Sequence, residues 1–237
     1  MKRLIAFVAL VAGGLGFLLF PQASQWFVDR QELAVDQTYV EDTTGSGSGD
    51  LFTAAQQYNT SLAKNTAESF LTTDDGAKDA AYQKQLHFEG TDVMATVEVA
   101  SADIDLPIYH GTSEKTLLRG AGHLYGSSLP VGGPSTHAVI TAHSGMPDEE
   151  FFTPVHDMKV GDQFMVTAAG HDAYYRVDKI STVLPTDVSK IQIVPGKDYV
   201  TLATCTPIGI NTHRLLVRGV RIADPAQAGA DVLHSPF

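Results

Sequence analysis

The residues best suited to covalent chemistry lie between positions 201 and 219, TLATCTPIGINTHRLLVRG. Cys205, the only cysteine of the chain, closes an apolar run, and Arg214 opens the next one after a short loop. A thiol attacks a carbonyl only as thiolate, with a proton donor for the leaving group and a fixed positive donor for the oxyanion. Arg214 fits the last role, and a histidine is the usual proton donor. Of the nine histidines, His143 stands out because it ends the apolar strand VITAH and is followed by Ser144 and Gly145. That order projects its ring at a strand end beside a loop. His213 adjoins Arg214, but neighbouring residues on a strand point to opposite faces. His110 and His123 flank a glycine-rich turn region and are placed to line a cleft. By composition alone a lone thiol is more often a small buried hydrophobe than a nucleophile, and both options stand at this point.

Other chemistries fit less well. One cysteine excludes an internal disulfide framework and a multi-cysteine zinc site. There is no His-Glu-x-x-His, and Asp148, Glu149 and Glu150 suit the first turn of a helix better than a cation site. A papain-like order would put the cysteine early and the histidine far downstream, the reverse of what is seen. A net charge of −11 with no basic cluster beyond the first residues argues against nucleic acid as a partner.

These residues require a rigid scaffold, and 237 residues with a 43% apolar fraction can build one. From Met94 onward, short β-type runs alternate with turn residues. Strands are expected at 95–99, 106–109, 137–142, 163–167, 173–177, 180–184, 199–204 and 215–222, with short helices at 114–119, capped by Ser113, and at 148–152. Many short strands at irregular spacing indicate an all-β barrel or sandwich with a few helical turns. The catalytic unit is expected to span 91–223, followed by a polar tail, 224–237. Ahead of it, residues 1–28 combine Lys2 and Arg3 with an apolar run from Leu4 to Phe20, then Trp26 and Phe27. This is the pattern of a membrane anchor with a cytoplasmic N-terminus and the bulk of the chain outside. Residues 29–50 form a polar linker ending in TTGSGSGD. Residues 51–90 form a helical lead-in, with a helix starting after Asp50 as N-cap and another at 77–86. The residues alone favour a solvated lead-in over a cover for the site.

Residues 201–219 also resemble the signature of the sortases, membrane-anchored cysteine transpeptidases of Gram-positive cell surfaces. The Cys-Thr-Pro continuation with Asn-Thr-His-Arg-Leu-Leu-Val-Arg-Gly is similar to the pilin-polymerising class C branch. DLPIYHGTSEKTLLRGAGHL, SLPVGG, VITAHSG and VPGKDYVTL agree in unbroken order. The resemblance implies a closed eight-stranded β-barrel, with Cys205 as nucleophile, His143 as the proton-transferring histidine and Arg214 as the arginine that holds substrate and oxyanion. It implies cleavage of an LPXTG-like sorting signal between Thr and Gly, and transfer of the thioacyl group to a lysine of a pilin subunit, without a cofactor. Free Cys and His ordinarily hold the proton the other way round at neutral pH, so only part of the population would carry the reactive ion pair. Family position implies a lid around Glu68, Ser69 and Phe70, although the Asp-Pro-aromatic usual there is missing; Ser144 stands where relatives often have arginine. Two alternatives remain: a housekeeping sortase that anchors surface proteins to peptidoglycan, and a tethered surface binding module with Cys205 inert.

Overall fold

The computed structural model describes residues 48–62, 76–147 and 149–225. The expected membrane anchor, most of the linker, the candidate lid residues Glu68, Ser69 and Phe70, and all but the first two residues of the polar tail lie outside the described residues. Among those described, no helix is long and apolar enough to cross a membrane.

In chain order the elements are α1 (Ser48–Leu62), α2 (Ala80–Gln83), β1 (Val93–Val99), β2 (Ile104–His110), α3 (Glu114–Leu117), β3 (Ala121–His123), β4 (Thr136–Thr141), β5 (Gln163–Ala168), β6 (His171–Val183), β7 (Asp198–Thr206) and β8 (His213–Arg221). The eight strands close into a barrel in the order β1-β2-β3-β4-β7-β8-β6-β5, with β1 hydrogen-bonded to β5. Two pairings are parallel, β2 with β3 and β4 with β7; the remainder are antiparallel. A closed barrel has no free sheet edge, so a protein this rich in short strands avoids edge-to-edge association.

The interior is filled by Val97, Ile108, Ile140, Val166, Leu202 and Val217, all essentially without exposure. Gly219 has a packing reason. A Cβ there would lie 2.6 Å from the ring of Phe164, which stacks on Tyr175 inside the barrel.

The expected strands 173–177 and 180–184 are one strand, β6. The polar pair Asp178-Lys179 that divides them in the sequence is accommodated by a bulge, with Val177 opposite Gly219 and Lys179 opposite Arg218. Asp178 is the extra residue, and its carboxylate accepts two bonds from Arg218 at 2.9 and 2.7 Å. Conversely, β3 has only three residues, Ala-Gly-His, too short and too glycine-rich to show in a period-2 pattern. The expected helix at 148–152 is not formed by its described residues; a short 3-10 turn follows instead at Pro154–Asp157.

The described parts of the lead-in, residues 51–62 and 76–90, are docked on the barrel rather than solvated. Helix α1 starts at Ser48, so Asp50 lies in its first turn, where an acid suits the helix dipole, and is not the cap. Its Ala55 and Asn59 are buried. The Asn59 side chain donates to Leu129 O (3.0 Å) and accepts from Leu129 N (2.7 Å), a two-bond lock on the barrel backbone. Helix α2 is four residues, shorter than the expected 77–86, because Asp79 caps it by accepting from Ala81 and Tyr82 N–H groups. Tyr82 and Leu86 carry this segment into the core, both fully buried. The Tyr82 hydroxyl pairs with His123 Nδ1 at 2.8 Å and accepts from Gly111 N at 3.1 Å.

Candidate active site

Strands β7 and β8 place Cys205 directly opposite Arg214, with Thr206 opposite His213. Cross-strand partners share a face, so the thiol and the guanidinium lie side by side at the loop end of the hairpin, while His213 belongs to the other face. Cys205 is a free, partly exposed thiol. Arg214 Nη1 donates to the carbonyls of His213 (3.1 Å) and Asn211 (3.3 Å), which hold the base of the fork and leave its other N–H groups free of those bonds. The His213 ring pairs with the Thr212 hydroxyl.

His143 reaches this end along the neighbouring strand. β4 runs parallel to β7 in a register that ends at Thr141 opposite Ala203, and Ala142 N–H continues it by donating to Ala203 O at 3.3 Å. Two residues beyond that last pair are His143 and Cys205, so both strands deliver these candidate residues at the same end. Two side chains then tie the pair together. Thr204 Oγ1 donates to Ala142 O at 2.8 Å, and Ser144 Oγ donates to Cys205 O at 2.9 Å. This reciprocal clasp brackets His143 on one strand and Cys205 on the other. The loop beyond is held by Phe152 N–H on the His143 carbonyl (2.9 Å) and by Thr153 Oγ1 on Gly145 N–H (2.8 Å). Gly145 has φ +71°, and a Cβ there would collide with Ile208 of the loop after Cys205, so the position needs glycine on both counts. Neither the clasp nor this loop contact was foreseen from the residues.

The other candidate histidines serve the scaffold or a separate cleft. His123 does not line a cleft: it is completely buried, donates from Nε2 to Ser128 O at 2.9 Å, and burial pushes its pKa down to about 4. His137 is equally buried between Gln192 O (2.9 Å) and Thr201 Oγ1 (2.7 Å), and burial again lowers it to about 4. His110 does line a cleft, of about 490 Å³, with Lys84, His87, Asp92, Tyr109 and Arg119. Its ring bonds Gln85 O at 2.8 Å, and burial lowers its pKa. Among the described residues no group of three or more His, Cys, Asp or Glu side chains is disposed to hold a metal ion.

A closed mixed β-barrel that sets a lone cysteine beside an arginine, with a histidine just past the end of the adjoining parallel strand, is an arrangement chemically suited to thiol acyl transfer. The sortase domain family matches residues 97–222. The chain belongs to the sortase family. Among curated proteins it is 30% identical over 117 residues to sortase A of Streptococcus agalactiae serotype III (strain NEM316), covering 48% of this chain. It spans about half, 47%, of that relative's length. Among solved structures it is 43% identical to sortase C-1 of Streptococcus pneumoniae, with TM-score 0.71, covering 82% of this chain and 99% of that one. It is 37% identical to sortase C1 of GBS pilus island 1, with TM-score 0.73, covering 81% of this chain and 93% of that one.

Proposed function

We propose that this chain is a cysteine transpeptidase of the pilin-polymerising kind, acting on LPXTG-like sorting signals. The observation that carries the proposal is the register that sets Cys205 opposite Arg214 while β4 runs parallel to β7 and leads, two residues past its end, to His143. In the first half-reaction the Cys205 thiolate adds to the Thr carbonyl of the Thr–Gly bond. Negative charge develops on the carbonyl oxygen, and the Arg214 guanidinium, with five N–H donors on a rigid fork, stabilises it. Collapse breaks the C–N bond, protonated His143 gives its proton to the departing glycine amine, and a thioacyl-enzyme remains. In the second half-reaction an acceptor amine attacks the thioester, His143 takes a proton from it, and Cys205 leaves as thiolate. Electrons and protons balance over the cycle, and no cofactor is called for. The acceptor is proposed to be a lysine of the next pilin subunit, because the similar solved structures include the sortase of a pilus island. The apolar run from Leu4 to Phe20, with Lys2 and Arg3 before it, would hold the enzyme on the outer face of the membrane.

Transpeptidation with an LPXTG peptide and a pilin-derived lysine acceptor tests the assignment. Cys205→Ala should abolish product and the thioacyl adduct seen by mass spectrometry. Arg214→Lys should lose at least about a hundredfold in kcat, since a point charge does not reproduce a planar fork. Product formation by Cys205→Ala at the wild-type rate would refute the proposal. The likeness to sortase A sustains a second reading, anchoring of monomeric proteins to peptidoglycan. Resolution of the thioacyl-enzyme by a peptidoglycan-stem amine in preference to the pilin lysine would select it.

A further inference from the structure

We propose that Glu114 is a positioning residue for His143: its carboxylate takes the Nε2 side of the imidazole and leaves Nδ1 as the nitrogen that exchanges protons with substrate. This rests on the role given to His143 above. The first observation is at the ring itself. His143 Nε2 is buried and, among the described residues, is one of three buried side-chain polar atoms with no hydrogen-bond partner, the others being Gln85 Oε1 and His156 Nε2. A buried imidazole nitrogen without a partner costs free energy, so a group that can complete it is expected nearby.

The second observation supplies that group. Glu114 Oε1 lies 3.7 Å from His143 Nε2, and the Glu114 side chain is 76% exposed, free to close the remaining distance. A shift of about 0.8 Å would bring the pair to the 2.7–2.9 Å of a charge-assisted bond, and such bonds are often long in the unliganded enzyme and tighten with substrate. Helix α3 fixes the point from which Glu114 reaches. Ser113 caps it by accepting from Thr116 N–H at 3.3 Å, and its hydroxyl also pairs with Thr116 Oγ1 at 2.9 Å. Strand β3, which follows α3, pairs with β4 at Gly122–Thr141, so the helix start and the His143 strand end belong to one corner of the barrel.

An acid in the first turn of a helix has a competing explanation, favourable interaction with the helix dipole. Chain length separates the two roles. Aspartate keeps the dipole contribution but is one methylene shorter and does not reach Nε2, whereas glutamine keeps the length and an oxygen acceptor. The other ionisable groups on elements around His143 are Cys205 on β7, Arg214 on β8, and Glu149 and Glu150 on the turn before Phe152. None of the four has an ion pair or hydrogen bond to His143 Nε2.

The test uses the full chain and two independent readouts. ¹⁵N shifts of the neutral His143 ring should show Nε2–H as the dominant tautomer in wild type and in Glu114→Gln. In Glu114→Ala and Glu114→Asp the two tautomers should mix. In steady-state transpeptidation, Glu114→Ala and Glu114→Asp should lower kcat by about tenfold with KM within about twofold, and Glu114→Gln should keep kcat within about threefold. An unchanged tautomer balance in Glu114→Ala, or equal kcat in the Asp and Gln variants, would overturn the inference. The tautomer readout needs no turnover, so it stands apart from the Cys205→Ala result that decides the proposed reaction.

Discussion

Acidification should weaken this barrel well before its carboxylates titrate. His123 and His137 are both held neutral: each donates from one nitrogen to a backbone carbonyl, Ser128 O and Gln192 O, and accepts at the other from a hydroxyl, that of Tyr82 or Thr201. Their pKa values fall from 6.5 to about 4 in the folded chain, chiefly through burial. Because the unfolded chain protonates at 6.5 and the folded one does not, stability is full above that value, falls as pH drops through it, and levels off below about 4. Each ring is then worth about 3 kcal/mol over the whole window, and about 2 kcal/mol of it is lost by pH ~5. Together they remove about 4 kcal/mol at pH ~5, against a typical total of 5–15 kcal/mol. His110, lowered for the same reason, acts in the same direction. Asp198, raised by burial, acts in the opposite one, regaining stability as pH falls through its raised folded value. Urea unfolding at pH ~7.5, ~6 and ~5 at fixed ionic strength measures the loss. Far-UV circular dichroism is the probe, since the single tryptophan, Trp26, lies before the barrel. His137→Gln should lose roughly half of the pH dependence. A decrease under about 1 kcal/mol between pH ~7.5 and ~5 in wild type, or the same slope in His137→Gln, would refute the reasoning.

Two further outcomes follow from hydrogen bonds. Thr204→Val keeps the shape but leaves the buried Ala142 carbonyl unpaired, so it should cost about 1–3 kcal/mol in urea unfolding. It should also slow the labelling of Cys205 by a substrate-like thiol probe, because the strand ends are no longer tied; unchanged labelling and unchanged stability would show that the clasp is idle. Asn59→Ala removes both bonds to Leu129, so amide exchange in α1 should rise by at least about tenfold while the barrel strands stay protected. Equal protection of α1 in the two proteins would show that apolar contacts alone dock it.

The barrel was legible in the sequence because strand residues alternate with turns, and the side-by-side placement of Cys205 and Arg214 because only a short loop separates two apolar runs. The count of eight strands is right only because two expected strands are one and the missed β3, too short to show, restores the number. Asp178 broke the pattern because a bulge residue answers to its partner Arg218 and not to strand periodicity. The proximity of His143 to Cys205 needed the family resemblance, since nothing local specifies that β4 and β7 run parallel. The clasp between Ser144 and Thr204 was illegible for the same reason: its two bonds join residues 61 and 62 positions apart. His123 misled because the glycines around it suggest an open turn, while Tyr82, about forty residues upstream, fills the space above it.

The parallel pairing of β4 with β7 also governs when the thiol acquires its surroundings during synthesis. A parallel pair cannot be closed by a tight turn; here β5 and β6 are made in between, and Arg214 arrives only with β8. The site therefore depends on contacts of long sequence separation, the slow class in folding. Until the last strand is in place, Cys205 has neither its guanidinium neighbour nor a fixed histidine, and it is an ordinary thiol on an unfinished sheet. The proposed acyl-transfer chemistry would thus stay in reserve until the barrel is complete, a timing written into strand order and not into any single residue.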